Sequence, residues 1–111
     1  MTVTVQVLIP AKIAEAAQTT QYTSTGITTI IDKFTATNYS ATAATLSVNL
    51  VTSGDTAGNA NLITKAKTLQ PSEVYTFPEL VGQVLSSGGF ISTLAGTATS
   101  INIRASGRGV S

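Results

Sequence analysis

Five carboxylates, Glu15, Asp32, Asp55, Glu73 and Glu79, are the main acid–base resource of this 111-residue chain, which contains neither histidine nor cysteine. The commonest metal ligands, the commonest general base and the thiol nucleophile are therefore missing together. Many enzyme classes are thereby excluded, but two carboxyl groups suffice to hydrolyse a glycosidic bond, so a glycosidase-like enzyme is a catalytic reading these acids allow. The sequence around each acid argues against it. Asp55 and Glu73 lie in turn-forming stretches, Glu79 opens a segment where a negative charge suits a helix dipole, and Glu15 reads as solvated. The expectation is a protein that is not an enzyme, with no cofactor and no metal.

Other residue groups point to binding only weakly. Gly107-Arg108-Gly109 lacks the following helix that a phosphate-cradling loop requires. The six cations, Lys12, Lys33, Lys65, Lys67, Arg104 and Arg108, are scattered and nearly balanced by five acids. They form no basic stripe in sequence able to displace counterions from nucleic acid. Lys65 and Lys67, two apart in an extended segment, fall on one side of it and read as charges that discourage edge pairing. Asn38-Tyr39-Ser40 matches a glycosylation acceptor, and Tyr22, Tyr39 and Tyr75 are too far apart in sequence to read as one stacking platform. The stretch Val3 to Ile9, followed by Ala14-Glu15-Ala16, has the outline of a secretory signal. It lacks a basic start, however, and its apolar residues alternate with polar ones, which is the pattern of a strand. No run reaches the 18 to 20 apolar residues, roughly, of a membrane span, so no membrane association is expected.

The elements that must position these residues read as sheet. Twenty residues are threonine, only 10% are charged and only 5% aromatic. The core must then come from Val, Ile, Leu and Ala, and β-branched side chains suit a pleated surface. Val3, Val5, Val7 and Ile9 share one face of a first strand, which Pro10 is expected to end because it lacks a ladder donor. Ala11 to Ala17 favours a helical turn or an arm. Ile27 to Asn38 carries the longest β-branched run, with a bulge or edge position expected near Asp32. Leu46, Val48 and Leu50 alternate cleanly with polar residues. Ser53 to Asn61 has the chemistry of a mobile loop, Gln70-Pro71-Ser72-Glu73 that of a turn, and Pro78 to Leu85 allows one helical turn. Strands at Leu62–Leu69, Val74–Phe77, Phe90–Ala95 and Ser100–Ala105 complete the set. The pattern predicts an all-β, jelly-roll-like β-sandwich of seven to eight strands, with an up-and-down barrel as the alternative, in a single domain over 1–111 with 1–17 as an N-terminal strand and arm. The apolar alternation of that arm needs a sheet or a neighbouring chain to cover it, which makes Val3, Val5, Val7, Ile9 and Ile13 the candidate partner-binding residues.

Two stretches, from Lys67 through Gln70-Pro71-Ser72-Glu73-Val74-Tyr75-Thr76-Phe77-Pro78 to Leu85, and from Gly88-Gly89-Phe90 to Ile101-Asn102-Ile103-Arg104, resemble a family of small tailed-bacteriophage virion proteins. Ile30-Ile31-Asp32-Lys33-Phe34 fits the same pattern. In length and N-terminus the chain is similar to capsid decoration, or cement, proteins of short-tailed phages of the epsilon-fifteen type. Ser72 departs from the pattern, which has glycine after the turn proline. The resemblance implies a jelly-roll-like virion protein, made in the host cytoplasm, that sits on the outer surface of the capsid as a homo-oligomer, with a dimer favoured. It would staple neighbouring copies of the major capsid protein without touching nucleic acid, and it brings no catalytic residues. A receptor- or carbohydrate-binding β-sandwich module of a tail or fibre is the alternative expectation.

Overall fold

The β-branched runs become strands and the Gly-, Pro- and Asn-rich stretches become the connections between them. A computed structural model describes residues 1–111. It contains nine strands: β1 (Val3–Ile13), β2 (Thr19–Thr23), β3 (Thr28–Asn38), β4 (Ala44–Val51), β5 (Leu62–Leu69), β6 (Val74–Thr76), β7 (Val84–Leu85), β8 (Phe90–Ala95) and β9 (Ile101–Val110). One 3-10 turn, Asn59–Asn61, is the sole helical element. The chain is all-β, as the composition predicts, and exceeds the expected strand count because the two-residue β7 is too short to show in a hydrophobic pattern.

The strands form two antiparallel sheets. The first runs β1-β9-β3-β6, with β7 also pairing β3, and the second runs β2-β8-β4-β5. The first four strands alternate between the sheets, and early strands pair with late ones: β1 and β3 with β9, β2 and β4 with β8, while β4 and β5 are neighbours in the second sheet. The two inner faces share one apolar core. Ile9, Ile31, Phe34, Ile101 and Ile103 come from the first sheet, Leu46, Val48, Leu69 and Ile91 from the second, and all are fully buried. Phe34 and Phe77 meet edge to face at 5.1 Å, and Tyr75 meets Phe77 in the same way at 4.7 Å. With so few aromatics, these three rings form one cluster in a core otherwise made mostly of aliphatics.

Three local expectations change. Pro10 does not end β1, which continues to Ile13. The register shifts between Ile9 and Lys12, so Pro10 lies in an irregularity where no ladder donor is required. Ala11 to Ala17 is consequently strand and then bend, with Ala14 N–H donating to the Ile101 carbonyl at 2.8 Å. Pro78 to Leu85 is a chain of tight turns, Leu80 to Phe77, Val81 to Pro78 and Gln83 to Leu80. Gly82, at φ +83°, reverses direction so that its N–H bonds to the Ile31 carbonyl while Gln83 accepts from Ile31 N–H. Bonds to β3 thus replace those that would extend a helix.

Asp32, where a bulge was expected, is skipped in the β3–β9 register, which jumps from Ile31 to Lys33. The extra residue turns Asp32 outward to receive the Arg108 guanidinium through three bonds of 3.0–3.1 Å.

Candidate functional site: the free edge of the first strand

β1 is an edge strand whose amphipathicity is inverted over its first half. Its register with β9 is regular from Val3↔Val110 to Val7↔Ser106, and Thr2 and Ser111 exchange both backbone bonds at 3.0 Å. Antiparallel pairs alternate between bonded and non-bonded positions. Thr4 and Gln6 are therefore also bonded to β9, whereas the N–H and C=O groups of Val3, Val5 and Val7 point away from it into the open edge. The side chains alternate in step. Gln6 faces inward, its carboxamide oxygen accepting from Tyr22 Oη at 3.3 Å, and the valines face the outer surface. Val3 and Val7 are each 52% exposed and Val5 84%.

A register shift between Val7 and Ile9 then changes the phase. Leu8 and Ile9 both become buried, at 3% and 0% exposure, and join the core. Of the five candidate partner-binding residues, Val3, Val5 and Val7 form one exposed row along the edge. Ile13 is exposed beyond the bulges at 46%, and Ile9 is withdrawn from the set because the bulge points it into the sandwich. Strict alternation placed Ile9 with the valines. A bulge adds one residue and flips everything after it, and the sequence marks it only by Leu8, an apolar residue where the alternation calls for a polar one.

The valines are part of a wider apolar surface. Across the outer face of the first sheet, Val5 lies opposite Arg108, Arg108 opposite Ile30, and Ile30 opposite Val84. Val3 is followed in the same way by Val110 and Thr28. Val84 is 55% exposed, and the one charge in its row, Arg108, is bound by Asp32, whose carboxylate raises the guanidinium pKa further above its ordinary value.

The chemistry-bearing residues are dispersed by comparison. Glu15 takes a bond from Lys12 Nζ at 2.9 Å and another from Gln21 Nε2 at 2.9 Å. These two bonds, Gln21 first, hold its carboxyl below the usual range. Glu73 accepts from Gln70 N–H at 2.7 Å and closes the turn there. Glu79 accepts from Thr64 Oγ1 at 2.6 Å and from Tyr75 Oη at 3.2 Å. Burial is the largest influence on Glu79 and opposes ionisation. The bonds from Thr64, its own backbone and Tyr75, with the Lys67 charge, together outweigh burial and keep the pKa lowered. Tyr75 is raised in turn, first by desolvation and then by Glu79. No group of three or more potential metal-ligating side chains occurs.

Lys65 and Lys67 do not share a side. Ala66, at φ +47°, sits where the β4–β5 register shifts. Lys67 lies over the Tyr75 ring at 4.6 Å, while Lys65 lines a cleft of about 200 Å³ with Gln18, Asn49 and Asn59. The 52–61 loop walls that cleft and is pinned rather than loose. Asn49 Nδ2 donates to the Gly58 carbonyl at 3.0 Å and to Asn61 Oδ1 at 2.8 Å, and Asn61 Nδ2 donates to the Thr56 carbonyl at 2.9 Å. Asn38 is fully buried with its amide donating to the Thr42 and Leu69 carbonyls, so it braces a turn and is no accessible acceptor. The tyrosines do not converge: Tyr22 bonds across to Gln6 and Thr29, Tyr75 to Glu79, and Tyr39 is 48% exposed.

The fold and the site define a two-sheet antiparallel β protein with one free edge that is regular, uncharged and apolar-faced over Val3–Val7. No protein-family model, curated protein or solved structure matches the chain.

Proposed function

We propose that this chain is a structural assembly protein, a decoration protein that docks on the outside of a tailed-phage capsid and staples neighbouring major capsid subunits. The observation that carries the reading is the inversion of β1. A strand whose valines at positions 3, 5 and 7 face solvent while its Gln6 faces the core presents apolar area that a free-standing domain has no use for. The nested pairing of early with late strands is the order produced by rolling one long antiparallel hairpin, as in a jelly roll, and this agrees with the resemblance of the sequence to small virion proteins. The outer face of the first sheet, with Val3, Val5, Val7, Ile30 and Val84, is the docking surface. In the row of Val5, Ile30 and Val84 the one charge, Arg108, is already paired with Asp32, so apolar burial supplies the contact there, while Arg104 lies exposed farther along the same face.

A cryo-EM map of the virion tests this directly. Density for the chain at every equivalent position of the outer shell, with the first sheet against the capsid, is the expected result, and its confinement to the tail overturns the reading. Surface charge pairs are screened over about 3 Å at 1 M salt and apolar contacts are not weakened, so the docked chain should stay on the particle in about 1 M NaCl. The cleft at Lys65, with its amides and no carboxylate bonded to the lysine, favours a second reading as a saccharide- or receptor-binding module of a tail fibre. Few copies per particle, located on the tail, would be its signature.

A further inference from the structure

We propose that the free edge of β1 pairs with β1 of a second copy of this chain, antiparallel and centred on Val5, so that one sheet runs through both molecules. The pairing gives the assembly reading its partner at the β1 edge and rests on that reading for its biological setting, while its evidence is the geometry of the strand.

The first argument is the parity of the backbone. Only Val3, Val5 and Val7 offer both N–H and C=O to the open side, because Thr2, Thr4 and Gln6 are bonded to β9. In an antiparallel pair, a shift of one residue sets an outward-pointing group against an inward-pointing one and forms no ladder. Only registers that place odd residues opposite odd residues bond. Among these, centring on Thr4 pairs Val7 with the terminal Met1, and centring on Gln6 pairs Val3 with Ile9, which has left the outer face. Centring on Val5 sets Val5 opposite Val5 and Val3 opposite Val7. It uses every free group and places valine against valine on the outer surface, the kind of cross-strand pair that stabilises a sheet.

The second argument is charge. No ionisable side chain occurs between Met1 and Lys12. The nearest cation, Arg108, is one strand inside the edge and bound to Asp32. Across the junction the two guanidinium groups stand three strand spacings apart, about 14 Å, beyond the screening length of about 8 Å at physiological salt.

The third argument is the state of the other edges. β6 and β7 have three and two residues, β2 has five with a shift in register, and β5 carries Lys65, Lys67 and the irregularity at Ala66. None can accept β1 over its length. The contact therefore closes on a two-fold axis instead of growing into a filament. The outer-face valines of both copies end up side by side, leaving a doubled apolar surface for docking.

The test uses the full chain, which has no cysteine to confuse it. Sedimentation equilibrium at about 100 μM, above the micromolar range to which a one-strand interface can fall, should give twice the 11.3 kDa mass of one chain. Val5→Glu, whose carboxylate suits the neighbouring Arg108 in the monomer but faces its own copy in the dimer, should sediment as a folded monomer. Val5→Thr should remain dimeric. Under oxidation Val5→Cys should cross-link to itself, Val3→Cys should not, and Val3→Cys combined with Val7→Cys should. A monomer at that concentration, a dimer that survives Val5→Glu, or cross-linking of Val3→Cys equal to that of Val5→Cys each overturns the pairing. Capsid binding by the unaltered chain at concentrations low enough to keep it monomeric would then show the docking reading standing without the dimer, whereas a dimer absent from the shell would show the reverse.

Discussion

The two long strands nearest a sheet edge, β1 and β5, meet the same hazard in opposite ways. β5 is broken at Ala66 and flanked by Lys65 and Lys67, and it is tied to the other sheet, with Thr64 bonded to Glu79 and Lys67 stacked on Tyr75. These are the devices by which natural sheets prevent edge-to-edge association. β1 has none of them before Leu8. It is regular from Val3 to Val7, carries no charge there and turns its valines outward. On the pairing proposed above, an edge protected on one sheet and left bare on the other is a division of labour, one edge kept solitary and the other offered to a neighbour.

The comparison is sharpened most by two substitutions within β1. Ile9→Ala removes a fully buried side chain from the shared core and should cost about 2–5 kcal/mol, whereas Val5→Ala, at 84% exposure, should change monomer stability by no more than about 0.5 kcal/mol. Urea melts at concentrations low enough to keep the chain monomeric measure both. If the two costs came out equal, the phase change at Leu8 would be wrong, and with it the outward row of valines.

Most of the sheet was legible in the sequence because period-two alternation is a strong signal where one face is buried. Leu46-Ser47-Val48 and Ile101-Asn102-Ile103 lie in the strands their patterns predict, and the bulge at Asp32 announces itself as a charge in an apolar run. The turn Gln70–Glu73 was equally plain, and Ser72 is at φ +66°, which explains why a glycine would suit that position. The candidate site was half legible. Its strand and its valines could be read, but the bulge that separates Ile9 from Val7 could not be placed, since the consecutive Val7-Leu8-Ile9 breaks the alternation without fixing which of Leu8 and Ile9 turns inward. Nor could the tie between Thr64 and Glu79, or the bracing of the 52–61 loop by Asn49 and Asn61, because these depend on which strands the topology sets side by side. Local pattern carries no information about that.

The middle prediction breaks the asymmetry from the other side. Replacing Lys65 and Lys67 together by valine should give β5 an uncharged apolar edge like that of β1, while the irregularity at Ala66 remains. The variant should fold with unchanged circular dichroism but associate beyond the dimer, giving larger species in light scattering as a second edge becomes adhesive. Unchanged association would mean that the bulge alone protects β5 and that the lysines serve only the Tyr75 contact and the cleft.

The smallest expected effect concerns the tie that holds β5 in place, and pH exposes it. The Glu79 carboxyl is lowered from its ordinary value of 4.5, so the folded state favours its ionised form. A group of this sign contributes stability that is fully present above 4.5 and is lost as pH falls through the depressed folded value. Thr64 and Tyr75 both donate to the carboxylate, and protonation removes acceptor capacity from an oxygen that two hydroxyls share. Melting temperature should therefore drop below pH 4.5 more steeply in the unaltered chain than in Glu79→Gln, which keeps an amide carbonyl as acceptor but has no proton to gain. Glu15, also lowered, contributes a residual slope of the same sign to both proteins. The difference should be a small fraction of the Ile9→Ala effect, because the group is only half-buried and water screens the Lys67 charge. Parallel pH profiles for the two proteins would show that Glu79 does not tie β5 to the opposite sheet, and the contrast between the two edges would then rest on Lys65, Lys67 and Ala66 alone.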